Sequence, residues 1–133
     1  LFLYDMTEQV TKGIKISVKT EFEGTFYKNE RINYAFSYEI SIENLSGDTT
    51  QLLAREWTIM DSLNDTETIT GEGVVGETPI ILPGGSHSYK SGCILRSPNG
   101  SMKGFYLMKN HLTSNQFQVT IPVFKLNAVF AQN

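Results

Sequence analysis

From residue 14 to residue 22 the chain alternates between apolar and polar positions: Ile14, Ile16, Val18 and Phe22 share one side, and Lys15, Ser17, Lys19 and Glu21 share the other. The same alternation runs from 34 to 43, where Tyr34, Phe36, Tyr38, Ile40 and Ile42 interleave with Ala35, Ser37, Glu39, Ser41 and Glu43. A period of two puts successive side chains on opposite faces of a strand. One dry face and one wet face is the pattern of antiparallel sheets. Turn residues at 44–48 and 61–65 bound a third strand over 51–60, and a short β-branched strand follows over 66–70. Residues 71–85 are rich in Gly and Pro and read as loop. Further strands are predicted over 86–91, 102–109 and 116–121, with Pro122 marking a break or an edge. About seven short strands at this spacing predict an all-β fold, an antiparallel sandwich or barrel.

The length of 133 residues suits one domain with its own core, expected over 13–126 with tails at 1–12 and 127–133. Eleven basic and 14 acidic residues give a net charge of −3, and the lysines are scattered. Phosphate neutralisation needs clustered Lys and Arg, so no nucleic-acid partner is expected. Cys93 is the single cysteine, so no internal disulfide can form, which fits a reducing compartment. No apolar run approaches the ~20 residues that span a bilayer. The start, Leu1-Phe2-Leu3-Tyr4, lacks a basic flank. The expectation is a cytoplasmic monomer or homodimer, away from membranes.

Gly71, Glu72, Gly73, Val74, Val75 and Gly76 spell GxGxxG. A dinucleotide-binding reading requires a helix after the motif. Pro79 and Pro83 prevent one here. Two readings remain. The glycines supply positive φ in a loop crossing between the sheets, or successive loop amides cup a small anion. Of the adjacent valines, either one tucks into the core while the other faces water and offers a partner an apolar contact, or both close one end of the sandwich core. These six residues are the candidate binding loop. Cys93, His87 and His111 show no spacing that suggests a nucleophile with its base or a metal site. No catalytic residue, metal or cofactor is predicted. Arg55 would share a straight strand's face with Leu53, Trp57 and Ile59. A guanidinium on an apolar face is costly unless paired. Either a bulge turns Arg55 outward, or it meets a carboxylate and lies against Trp57. Arg55 and Trp57 are therefore read as structural, with ligand binding as the alternative.

Gln51-Leu52-Leu53-Ala54-Arg55 with Trp57, the 71–77 motif with Pro79, Leu82-Pro83-Gly84, Tyr89 with Ser91-Gly92, Pro98 with Gly100-Ser101-Met102 and Gly104, and Ile121-Pro122 with Phe124 together resemble the ApaG family. The resemblance runs from about Gly13 to Leu126. Where that family has His between the Arg and the Trp, this chain has Glu56. The resemblance implies an immunoglobulin- or fibronectin type III-like sandwich. It also implies a stand-alone bacterial protein of a kind whose label refers to cobalt and magnesium efflux without a transporter activity. Similar domains in an F-box protein and a polymerase-interacting protein imply protein–protein recognition. Members begin near Met6, which implies that residues 1–5 are an upstream remnant. The expected function is a non-catalytic, protein-binding module. The alternative is a sensor of a phosphorylated or nucleotide ligand at the 71–76 loop.

Overall fold

The computed structural model describes residues 4–128. It contains nine strands and, among the described residues, no helix: β1 (Tyr4–Thr11), β2 (Ile14–Lys28), β3 (Arg31–Asn44), β4 (Thr50–Asp61), β5 (Glu67–Glu72), β6 (Ile80–Ile81), β7 (Ser86–Leu95), β8 (Asn99–Asn110) and β9 (Gln116–Asn127). They pair antiparallel in two sheets. One has the order β1-β2-β3-β7, and the other β5-β4-β8-β9 with β6 also on β4. Nine strands rather than about seven arise because β1 and β6 escape the alternation rule. Residues 4–11 are not a tail but pair along β2 from Tyr4↔Glu21 to Thr11↔Ile14. Asn127 likewise closes β9 rather than opening a tail. Residues 1–3 and 129–133 lie outside the described residues.

The two sheets form a sandwich whose core takes one face from each. Ile14, Ile16, Val18, Phe36, Ile40 and Ile42 come from the first sheet, and Leu52, Trp57, Met108, Val119, Ile121 and Phe124 from the second. The alternating runs therefore bury as their period requires. Trp57 sits at the centre, edge-on to Tyr38 at 5.5 Å and to Phe124 at 5.8 Å. Pro122 lies in edge strand β9, where the register with β8 shifts between Met102 and Gly104. A bulge there tolerates the missing amide, and β9 runs on past it.

The β2–β3 hairpin continues well past residue 22. A register shift between Phe22 and Gly24 is followed by an arm that ends in the Asn29-Glu30 turn, both residues at positive φ. Tyr27 and Ile32 face each other across this arm, exposed by 72% and 51%.

The two long sides of the sandwich differ. On one, β1 lies against β9, and the Thr120 amide donates to Thr11 Oγ1 at 3.3 Å. On the other, β5 and β7 stand apart as the outer strands of their sheets. Among the described residues no helix is long and apolar enough to cross a membrane.

Candidate functional site

The open side is organised by one irregularity in β4. Leu52 opposes Met108 and Ala54 opposes Leu107, so Leu53 is an extra, bulged residue. The bulge sets Thr50 and Leu52 on the same face as Arg55, Trp57 and Ile59 and takes Leu53 off it. It thus changes which neighbours Arg55 has without turning Arg55 outward. It also frees the Leu53 carbonyl, which accepts the Gly73 amide at 2.8 Å. β5 leaves β4 at this point and β6 rejoins it at Gln51↔Ile80. The glycine loop is therefore an excursion within one edge of one sheet. The expected crossing between sheets falls later, between β6 and β7, because Ile80–Ile81 still pairs with β4.

Within the excursion Val74 and Glu77 exchange backbone hydrogen bonds of 2.8 and 3.0 Å around a tight turn at Val75-Gly76. Both turn residues have positive φ, 47° and 76°. This is the geometry of a type I′ turn, which a β-branched residue such as Val75 adopts only under strain. Gly73 has φ 61°, and a Cβ there would lie 2.1 Å from the Glu77 carbonyl oxygen. Gly71 is needed for another reason: a Cβ would lie 2.7 Å from Arg55 Cζ. Val74 is buried in the core and Val75 is 66% exposed, so one valine plugs the sandwich and the other tips the turn. The amides of Gly73, Val74 and Glu77 are all taken by carbonyls, and the side chains of Glu72 and Glu77 are exposed.

Arg55 points between the sheets. It opposes Tyr106 on β8 and Gly71 on β5. Its Nη1 donates to the carbonyls of Glu72 (2.9 Å) and Gly73 (2.7 Å). The expected carboxylate partner is replaced by these two backbone oxygens, which the loop turns inward. Among the described residues no carboxylate reaches Arg55, and neither Nε nor Nη2 donates a hydrogen bond. Tyr38 pairs across the strands with Ser91, and the Tyr89 and Tyr106 hydroxyls bond each other. Burial raises all three phenols above their ordinary range, while the Arg55 charge acts in the opposite direction.

Below Arg55 the gap between β5 and β7 forms a cleft of about 340 Å³. Tyr38, Trp57, Ile59 and Met102 line its depth, Glu67 and Ile69 one edge, and residues 91–94 the other. Above Arg55 the glycine loop closes the same gap, with Val74 inside and Glu77 3.7 Å from His87 Nε2. Cys93 lines the cleft, half-buried, and burial together with the charges of Asp61 and Glu67 raises its thiol to about 11. His111 is exposed and bonds Gln51 at 2.9 Å. Among the described residues no group of three or more His, Cys, Asp or Glu could hold a metal ion. A second depression of about 500 Å³ lies among the turns above the sheets, lined by Lys12, Asp48, Asn110 and Phe117 among others. In it Asn110 Nδ2 donates to Asp48 at 2.9 Å, Lys12 stands 5.8 Å from the Phe117 ring centre, and the buried Thr50 hydroxyl has no hydrogen-bond partner among the described residues.

Sequence reasoning singled out Arg55, Trp57 and the loop but not Tyr38, Ser91 and Cys93, which face them from the other sheet. No local pattern links β7 to β4. Only the topology brings them together.

The ApaG domain model matches residues 25–110 of this chain. The chain is 40% identical over 119 residues to Protein ApaG of Shewanella halifaxensis, covering 90% of this chain and 94% of that one. It is 38% identical over 122 residues to Protein ApaG of Brucella suis biovar 1, covering 92% and 93%. Two solved structures share the fold. The X-ray structure of Northeast Structural Genomics Consortium target SoR45 has a TM-score of 0.82 at 38% identity, covering 86% of each chain. The crystal structure of a Bordetella pertussis protein designated ApaA has a TM-score of 0.74 at 30% identity, covering 93% of this chain and 94% of that one. With the family model matched over most of the chain and relatives of this identity along nearly its whole length, the chain belongs to the ApaG family.

Proposed function

We propose that this chain is a non-catalytic binding module for a protein partner, built on a fibronectin type III-like sandwich, and that the partner docks on the open side between β5 and β7. The observation that carries the reading is the asymmetry of the two long sides, one closed by β1 against β9 and the other left as a cleft beside a regular, ten-residue edge strand. An edge strand presents unpaired N–H and C=O groups, which natural sheets cover unless a partner strand uses them. Beside that edge stand Ile94 and, at the tip of the glycine loop, Val75, exposed by 59% and 66%. The sensor reading, a phosphorylated ligand at residues 71–76, has less support. An anion nest needs free amides, whereas those of Gly73 and Val74 point to carbonyls and Glu72 and Glu77 flank the loop.

The test is site-specific photo-crosslinking in native lysate, with the crosslinker at Ile94, at Val75 or at Tyr27 on the hairpin arm. Protein adducts from Ile94 and Val75 but not from Tyr27 are expected. Adducts only from Tyr27 would move the docking surface to the arm.

A further inference from the structure

We infer that the cleft takes the C-terminal end of a partner polypeptide, laid as a short strand along β7 with its terminal carboxylate on Arg55. This rests on the protein-docking reading above and adds the chemistry of the docked segment. The geometry of the cleft argues for a chain end. β7 pairs with β3 without a register shift from Ser86 to Leu95, so its free edge is an evenly spaced row of backbone groups. Only residues 91–94 of that edge open onto the cleft. At a rise of about 3.3 Å per residue this run is roughly 13 Å long and pairs with about four residues of an added strand.

The upper end of the cleft is blocked. The glycine loop closes the gap there, with Val74 in the core, Gly73 on the Leu53 carbonyl and Glu77 beside His87. A strand that continued upward would collide with this loop, so the added segment has to stop. Arg55 stands where it stops. One guanidinium nitrogen holds the loop, while Nε and Nη2 donate to nothing among the described residues. Those two nitrogens form the edge that grips a carboxylate with two parallel hydrogen bonds. Tyr38 and Ser91 line the same end, and a hydroxyl there can donate to a carboxylate oxygen. Lower down, Trp57, Ile59, Ile69 and Met102 present carbon, so alternate side chains of the docked segment should be apolar. An acidic side chain on a continuing chain would satisfy Arg55 equally well, but that chain has no route past the loop.

The experiment is an NMR titration of the full, ¹⁵N-labelled chain. The probes are two pools of N-acetylated hexapeptides with the last four positions randomised among apolar residues, one with free carboxylates and one with C-terminal amides. The free-acid pool should shift the amides of residues 91–94 and the Arg55 Nε–H, and the amide pool should need about tenfold more peptide for the same shift. Arg55→Ala should erase the difference between the pools. Because that variant also loosens the loop, Ser91→Asp provides a second arm. It places a carboxylate beside Arg55 and should erase the difference with the melting temperature retained. Equal shifts of β7 by both pools would overturn capture of a chain end while leaving strand docking in place. Shifts of the same size from sodium acetate alone would overturn it too, as would a response to both pools confined to other strands. The crosslinking result at Ile94 decides the docking reading separately.

Discussion

If Arg55 is held against Gly71 as the structure shows, the effect of Gly71→Ala on stability depends on residue 55. Arg55→Ala removes two charge-assisted bonds to the Glu72 and Gly73 carbonyls. Such bonds are worth roughly 1.5–3 kcal/mol each when buried. Arg55 is only half-buried, so about 2–4 kcal/mol for the pair is the reasonable range. Gly71→Ala puts a methyl 2.7 Å from Cζ and Nη2. The guanidinium must swing away and gives up those bonds, a loss of about 1–3 kcal/mol after the ~0.5–1 kcal/mol that alanine returns by restricting the unfolded chain. With Arg55 already replaced by alanine the collision is gone, and Gly71→Ala should be neutral or stabilising by about 0.5 kcal/mol. The difference means a coupling of at least ~1 kcal/mol, above the ~0.5 kcal/mol scatter of independent sites. Urea unfolding of the four proteins, followed by the fluorescence of the single tryptophan, Trp57, measures it through the midpoints. An equal cost of Gly71→Ala in both backgrounds would refute the contact.

The two loop valines should separate in the same assay. Val74→Ser should lose about 2–4 kcal/mol, since it leaves a gap and buries a hydroxyl. Val75→Ser should stay within about 0.5 kcal/mol of the parent in stability and weaken capture of a crosslinked partner. If both lose stability and the folded fraction of each still binds, the loop is only a plug. Val75→Gly should gain about 1 kcal/mol by releasing the positive φ, and a loss instead would show that the valine is not strained. Cys93, its thiol raised from 9.0 to about 11, should carry about 100-fold less thiolate at pH 8 than an ordinary cysteine and react with a disulfide reagent correspondingly slowly. The folded thiol and the buried phenols hold their protons more tightly than the unfolded ones do, so the unfolded chain loses protons first as pH rises. Stability is therefore lost through the thiol between about pH 9 and 11 and through the phenols from about pH 10 upward, and a midpoint that climbed from pH 9 to 11 would contradict the burial.

The alternation in 14–22 and 34–43 carried the core because each of those strands buries most of one face, with only Phe22 and Tyr34 partly open. β1 lacks that contrast: its Met6 and Val10 are exposed by 62% and 54%, so backbone pairing to β2 rather than side-chain period makes it a strand. The hairpin arm escaped for a related reason. Much of its surface is open to solvent, and its turn, Asn29-Glu30, carries no glycine to announce it. At Arg55 the alternation identified an unusual inward charge but not its partners, because a carbonyl acceptor leaves no trace in residue identity. The one-residue bulge at Leu53 also shifted the count on which the face assignment rested. The glycine motif marked the right segment. Whether that segment crosses between sheets depends on a two-residue strand, Ile80–Ile81, too short to show any period.

Amide hydrogen exchange of the full chain, alone and with a partner recovered by crosslinking at Ile94, tests most directly whether the open side is the docking surface. Residues 91–94 should exchange more slowly in the complex, while the β1 and β9 side is unchanged. Protection that appears on the β2–β3 arm or along β1, with β7 exchanging as before, would contradict the account.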